Sequence, residues 1–358
     1  MNQQQQVWPD EAQRMAARAD AIRVENTAGE QVARAGFVLN MVWRDGEAPL
    51  VRQRFWRAWD VLLAACPQAQ MVWWHRGLPC RLLDKRAQKE LAMLRTHSDD
   101  PYTTVSVTLA SIEPGQQLDG KPFWTAQAQA WWLRVDLPDY GEMWFRDRYV
   151  QPGVGPALSV LRFAAPATWL TEQGEAAVAR VCQAAEALQP LWATAGWGLV
   201  PNPRESLSHY TEDMQRIAPY LQRYPELDPI NSTALGEHGF NQAMGRPGWL
   251  NILGADLLAR LGGREALLAK AAETPGLSAY ALGEQCCVLR VGDWPTLSDA
   301  DAAETPPTAL ATVAQWLKPV RATAVANLFV CPPGVQMPDD AHWRQASARF
   351  MARLDALP

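Results

Sequence analysis

The spacing of apolar residues along the chain switches between a period of two and a period near 3.6, and those switches sketch the fold. Residues 35–43 (AGFVLNMVW) set Phe37, Leu39, Met41 and Trp43 on one side of an extended segment and Val38, Asn40 and Val42 on the other, which predicts a strand. Residues 51–66 follow as a helix. There Val51, Phe55, Trp56, Trp59, Leu62 and Leu63 recur at helical spacing, with Arg52, Gln53, Arg57 and Asp60 on the opposite, solvent side. Residues 69–75 read as extended again, and 76–95 as a loop and short helix whose cations form a solvated face. From residue 103 the pattern becomes strand after strand: Val105, Val107 and Leu109 alternate with polar residues, Trp131, Leu133 and Val135 with Trp132, Arg134 and Asp136, and 158–163 adds another. The turn signals between them (Pro114-Gly115, Asp119-Gly120, Pro138-Asp139, Pro152-Gly153) fit an antiparallel meander with one face buried.

The second half alternates helix and strand. Residues 176–188 form an amphipathic helix, 191–200 (LWATAGWGLV) a glycine-containing strand, and 206–224 a helix broken near Pro219. Residues 225–248, rich in Pro, Gly, Asn and Asp, read as a long irregular excursion of the kind that carries contacts. Then come an extended lead-in over 249–253, a short helix over 255–261 stopped by Gly262-Gly263, a hairpin from 277–282 and 285–291, and a last core helix over 307–317. The whole is α+β: mixed, largely antiparallel sheets covered by amphipathic helices, two lobes forming one compact unit.

Composition narrows the function. The 358 residues carry 33 Lys plus Arg against 38 Asp plus Glu, net −5, with 48% hydrophobic and 20% charged residues, so the chain is globular and lacks the electrostatic footprint of a nucleic-acid binder. No Lys or Arg precedes Arg14 and no apolar run reaches signal or membrane length, which points to a soluble cytoplasmic protein with no membrane partner. Trp8-Pro9-Asp10-Glu11 instead opens an amphipathic helix. Cys66, Cys80, Cys182, Cys286, Cys287 and Cys331 match neither a zinc pattern nor a disulfide framework and read as small core hydrophobes.

Seventeen Trp against seven Tyr and eight Phe is the unusual count. Trp43, Trp56, Trp59, Trp131, Trp197 and Trp249 fall at core periodicity, leaving Trp294, Trp8 and Trp343 as exposed candidates. No catalytic, metal or cofactor motif is present. The five His are far apart; His209 with Glu212 and Asp213, and His238 beside Glu237, keep open an uncharacterised enzyme with a His and acid site. Residues 292–307 (GDWPTLSDADAAETPP) hold four acids, no Lys or Arg, and one Trp between turn-formers. Such a loop suits docking onto a basic partner, with the Trp as anchor and the charges steering encounter.

Trp249-Leu250-Asn251-Ile252-Leu253-Gly254, Leu261-Gly262-Gly263, Arg290-Val291-Gly292-Asp293-Trp294-Pro295 and Trp316-Leu317-Lys318-Pro319-Val320-Arg321, in that order, resemble the type VI immunity family. Ala193 to Gly198 resembles its glycine-rich strand, and coverage is best over 155–322 and weaker over 30–150. The resemblance implies an N-terminal helix over 1–30, an immunity-like domain over 31–325 with lobes at about 31–165 and 166–325, and a C-terminal strand and helix over 326–358. It further implies a cognate type VI secretion effector as partner, of a class that includes nucleases, neutralised by occluding its active surface, with no cofactor and no catalysis. The residues expected at that contact are Asp293, Trp294, Asp299, Asp301 and Glu304, joined by Glu237 and His238 from the irregular stretch. An adaptor that loads an effector onto the secretion machine is the further alternative.

Overall fold

The structure, a computed structural model, describes residues 8–44, 49–66, 69–73, 80–96, 106–113, 128–136, 158–201, 216–229, 243–322, 345 and 348–356. Helix α1 (Asp10–Ala21) leads through β1 (Arg23–Glu25) into β2 (Gln31–Trp43), then α2 (Pro49–Leu63), β3 (Met71–Trp73), β4 (Arg81–Leu82) and α3 (Lys85–Thr96). Strands β5 (Ser106–Ala110), β6 (Trp132–Asp136) and β7 (Ser159–Ala165) precede α4 (Ala167–Gln173), α5 (Glu175–Leu188) and β8 (Trp192–Pro201). After β9 (Asp228–Pro229) come β10 (Leu250–Leu253), α6 (Ala255–Arg260), α7 (Arg264–Ala272), β11 (Leu277–Leu282), β12 (Cys286–Val291) and α8 (Thr308–Leu317).

The described strands make one sheet in the order β11-β12-β10-β8-β2-β7-β6-β5-β3-β4, antiparallel throughout this path. Its spine is the pair β2 and β8, whose lengths of 13 and 10 residues let each serve two partners along one edge. β7 takes residues 37–43 of β2 and β1 takes residues 31–34; β10 takes residues 192–195 of β8 and β9 takes residues 198–199, the latter in parallel. Glycines stand where those partners meet. A Cβ on Gly36 would lie 2.5 Å from the Ala165 carbonyl oxygen, and one on Gly198 would collide with Val38 and the Asp228 carbonyl.

One face of the sheet meets helices. Phe55 of α2 stacks on Trp43 at 5.8 Å, Trp169 of α4 packs on Phe37 and Phe163 at 5.3 Å each, and Cys182 of α5 meets the Tyr280 hydroxyl at 3.2 Å. α5 buries Ala177, Val178, Val181, Cys182, Ala184, Ala185 and Leu188, one apolar stripe at helical spacing. The expected one-sided meander is corrected here, because the opposite face is buried as well. Val38, Ala110, Trp132, Ala164 and Val200 form a second small apolar cluster there.

Beside that cluster runs a lateral row of polar residues, each opposite the next in the ladder: Thr108, Arg134, Arg162, Asn40, Thr194, Asn251. All six are buried. Alternation of apolar and polar residues therefore marks two buried faces of different chemistry, not a core and a solvent side. Asn40 donates to the Asp228 carboxylate at 3.0 Å, and burial pushes that carboxyl up to about 6 against the pull of Arg246 and Asn40.

Arg52, expected on the solvent side of α2, is fully buried. The cations of α3 and its approach divide: Arg81 and Arg86 pair with Glu90 and Arg95 pairs with Asp60, whereas Lys85 and Lys89 stay exposed. The five described cysteines are buried. Burial pushes the Cys66 thiol up to about 12 and those of Cys286 and Cys287 up to about 11, which suits inert packing groups. No helix among the described residues is long and apolar enough to cross a membrane.

Candidate binding loop

The segment following β12 leaves the sheet at Gly292, whose φ of +69° turns the chain in a way glycine tolerates best. Two side chains fix that corner: Trp249 Nε1 and Arg290 Nε donate to the Gly292 carbonyl at 3.3 and 3.1 Å. Arg290 also reaches the Asp293 carbonyl and is itself chelated by Glu175 at 2.6 and 2.8 Å, lying over the Trp249 ring. Trp8 closes this assembly, set edge-on to Trp249 at 5.7 Å and only 5% exposed, so the expectation of an exposed Trp8 is corrected. Docking α1 onto the sheet covers it.

Further along, the loop is held from beneath. Trp197 Nε1 donates to the Pro295 carbonyl at 3.1 Å, and Leu297 inserts fully into the core. Glu226 accepts from the Ser298 hydroxyl at 2.6 Å and the Ser298 amide at 3.1 Å; burial raises its pKa while the Ser298 bonds lower it. Asp299 then caps a short 3-10 turn, Ala300–Ala302, by accepting from the Asp301 amide at 3.1 Å. Its two oxygens are also chelated by Arg223 at 2.8 and 2.6 Å. Arg18 of α1 donates to the Leu297 carbonyl at 2.7 Å and grips the Glu304 carboxylate at 2.5 and 3.0 Å, and Glu304 in turn accepts from the Asp299 amide.

The structure thus separates the expected contact residues into two groups. Asp299 (8% exposed) and Glu304 spend their charge on Arg223 and Arg18 and organise the loop. Asp293 and Asp301 are exposed, Asp301 lying 3.3 Å from Arg223 with 70% of its side chain open, and Trp294 is half-buried against the core between them. Glu237 and His238 lie outside the described residues, as do all five histidines and Trp343. Neither clamping arginine was legible as such, because Arg18 and Arg223 stand 286 and 76 positions from the carboxylates they hold.

Comparison with known proteins places this geometry in context. A family model described as type VI immunity for VRR-NUC matches residues 97–354. No curated protein matches the sequence. Among solved structures, a Pseudomonas aeruginosa T6SS protein is similar with a TM-score of 0.73 at 19% identity, covering 96% of this chain and 90% of that one, a likeness of fold.

Proposed function

The chain belongs to the type VI immunity family for VRR-NUC, and from that premise we propose that it holds a VRR-NUC effector inactive by binding over the effector's catalytic surface, in the cytoplasm and without catalysis of its own. The observation that carries the contact assignment is the preorganised loop. Seven side chains, those of Arg18, Trp197, Glu226, Trp249, Arg290, Asp299 and Glu304, bond its backbone, so little conformational entropy remains to be lost on binding, and what it presents is an aromatic ring and two exposed carboxylates. A nuclease surface that binds a phosphate backbone is basic, and Asp293 and Asp301 complement it while Trp294 fills an apolar recess. Asp299 and Glu304 contribute by keeping that presentation rigid. Glu237 and His238 remain in the proposed face on sequence grounds alone.

The test is binding to the effector encoded beside the gene for this chain. Trp294→Ala combined with Asp293→Lys leaves both clamps in place and should weaken binding by tenfold or more in calorimetric titration, with the Asp293 part showing as a slower, less salt-dependent on-rate. Unchanged affinity and unchanged protection of cells expressing the effector would remove the loop from the contact.

A further inference from the structure

β11 is the outermost strand at one end of the sheet, and the direction of its hydrogen bonds follows from two neighbours. The Gly292 amide donates to the Gly276 carbonyl at 2.7 Å, and the Val291 amide turns the other way to the Trp249 carbonyl at 2.9 Å. In an antiparallel ladder this parity alternates, so Ser278, Tyr280 and Leu282 direct their backbone groups at β12 while Ala279 and Ala281 direct theirs outward. Among the described residues nothing pairs with those outward groups.

Edges of this kind are usually guarded by charge, proline or a bulge. β11 reads LSAYAL, with no charge and no proline, its register to β12 runs unbroken through six pairs, and Ser278, Tyr280 and Ala281 are exposed. The charge lies at the two ends instead: Glu273 is exposed before the strand and Glu284 in the hairpin turn after it. Arg264 near that turn spends its donors on the Gly283 and Glu284 carbonyls and lies 3.4 Å from Glu265, and Lys270 sits over the Trp316 ring. A second copy of this chain added antiparallel to β11 would bring each Glu273 toward the other copy's Glu284, like charge against like at both ends.

We propose that β11 is a strand-addition site for the effector: an extended segment of that protein, apolar or neutral over about 20 Å and basic at its flanks, pairs with the outward backbone groups of Ala279 and Ala281. This rests on the immunity reading above and adds a main-chain contact to it. β12 connects β11 directly to the Trp294 loop, so one partner can engage both.

Hydrogen exchange read amide by amide, with the full chain alone and saturated with the purified effector, tests it. Strand addition slows exchange at Ala279 and Ala281 and leaves Ser278 and Tyr280, already bonded to β12, nearly unchanged. Ala281→Pro removes one outward donor at an exposed site, and Ala281→Lys places a cation against the basic flanks. Each should weaken effector binding at least tenfold with the melting temperature of the free protein preserved, and the Lys variant should recover part of its loss in high salt. Effector binding with unaltered exchange at Ala279 and Ala281 overturns strand addition and leaves the immunity reading standing; absence of any effector binding overturns both. Protection that appears on concentrating the chain alone assigns the edge to a second copy and also overturns the proposal.

Discussion

At the scale of single residues, the loop shows how burial and pairing redistribute charge that a sequence counts as one block. Four acids between Asp293 and Glu304 read as a uniformly negative lure, yet two of them are neutralised by arginines from distant elements. The hydrogen bonds from Arg223 hold the Asp299 carboxyl below its usual range, and those from Arg18 do the same for Glu304. A depressed carboxyl contributes stability that is present above its unfolded pKa and is lost as pH falls through its folded value. The loop should therefore loosen in acid, below about pH 4, with amide exchange at Asp301 and Glu304 faster relative to the intrinsic rate at each pH while the strand amides of β8 and β2 stay protected. Asp299→Asn should bring that fast exchange to neutral pH. Protection factors at Asp301 and Glu304 that stay flat from pH 7 to pH 3 would mean the clamps do not hold the loop.

At the scale of elements, periodicity located the pieces well and misjudged their surroundings. The strand read over 35–43 is β2, the helix over 176–188 is α5, and the hairpin over 277–291 is β11 with β12, because each owes its conformation to local spacing and turn chemistry. Helix over 206–224 is observed for 216–223, where it runs through Pro219 without the expected break, the earlier part lying outside the described residues. What periodicity could not reveal is what lies against the second face. Asn40, Arg134 and Arg162 look like solvent-facing positions, and only the five registers among six neighbouring strands show that they belong to one buried row.

The same close packing makes glycines at the strand junctions essential. Gly36→Ala should cost about 1–3 kcal/mol, read as a lower urea midpoint at unchanged slope, since the Ala165 carbonyl it would press on belongs to a central strand and has nowhere to move. Trp169→Ala, which empties the space between Phe37, Phe163 and Trp131, should cost about 3–5 kcal/mol by the same measurement.

At the scale of the whole molecule, the family match and the fold divide the chain differently. The matched region begins at residue 97, but β2, at residues 31–43, lies between β7 and β8 and bonds to both. A fragment over 97–354 would lack the strand that joins the two ends of its sheet and would expose a long apolar edge on each side. It should fail to give a cooperative melt and should aggregate on gel filtration, whereas the full chain melts as one unit. A soluble, cooperatively folding fragment would show that the two strand groups close on each other without β2.

The sequence by itself determined the α+β class, the main helices and strands of the sheet and the family, because these depend on local spacing and on short ordered motifs. Tertiary structure alone decided that the sheet is buried on both faces, that Trp8 is a core residue, which carboxylates of the loop remain open, and that β11 is an unguarded edge. Each of those depends on groups that lie far apart along the chain, and only the folded sheet and its packed helices bring them within bonding distance.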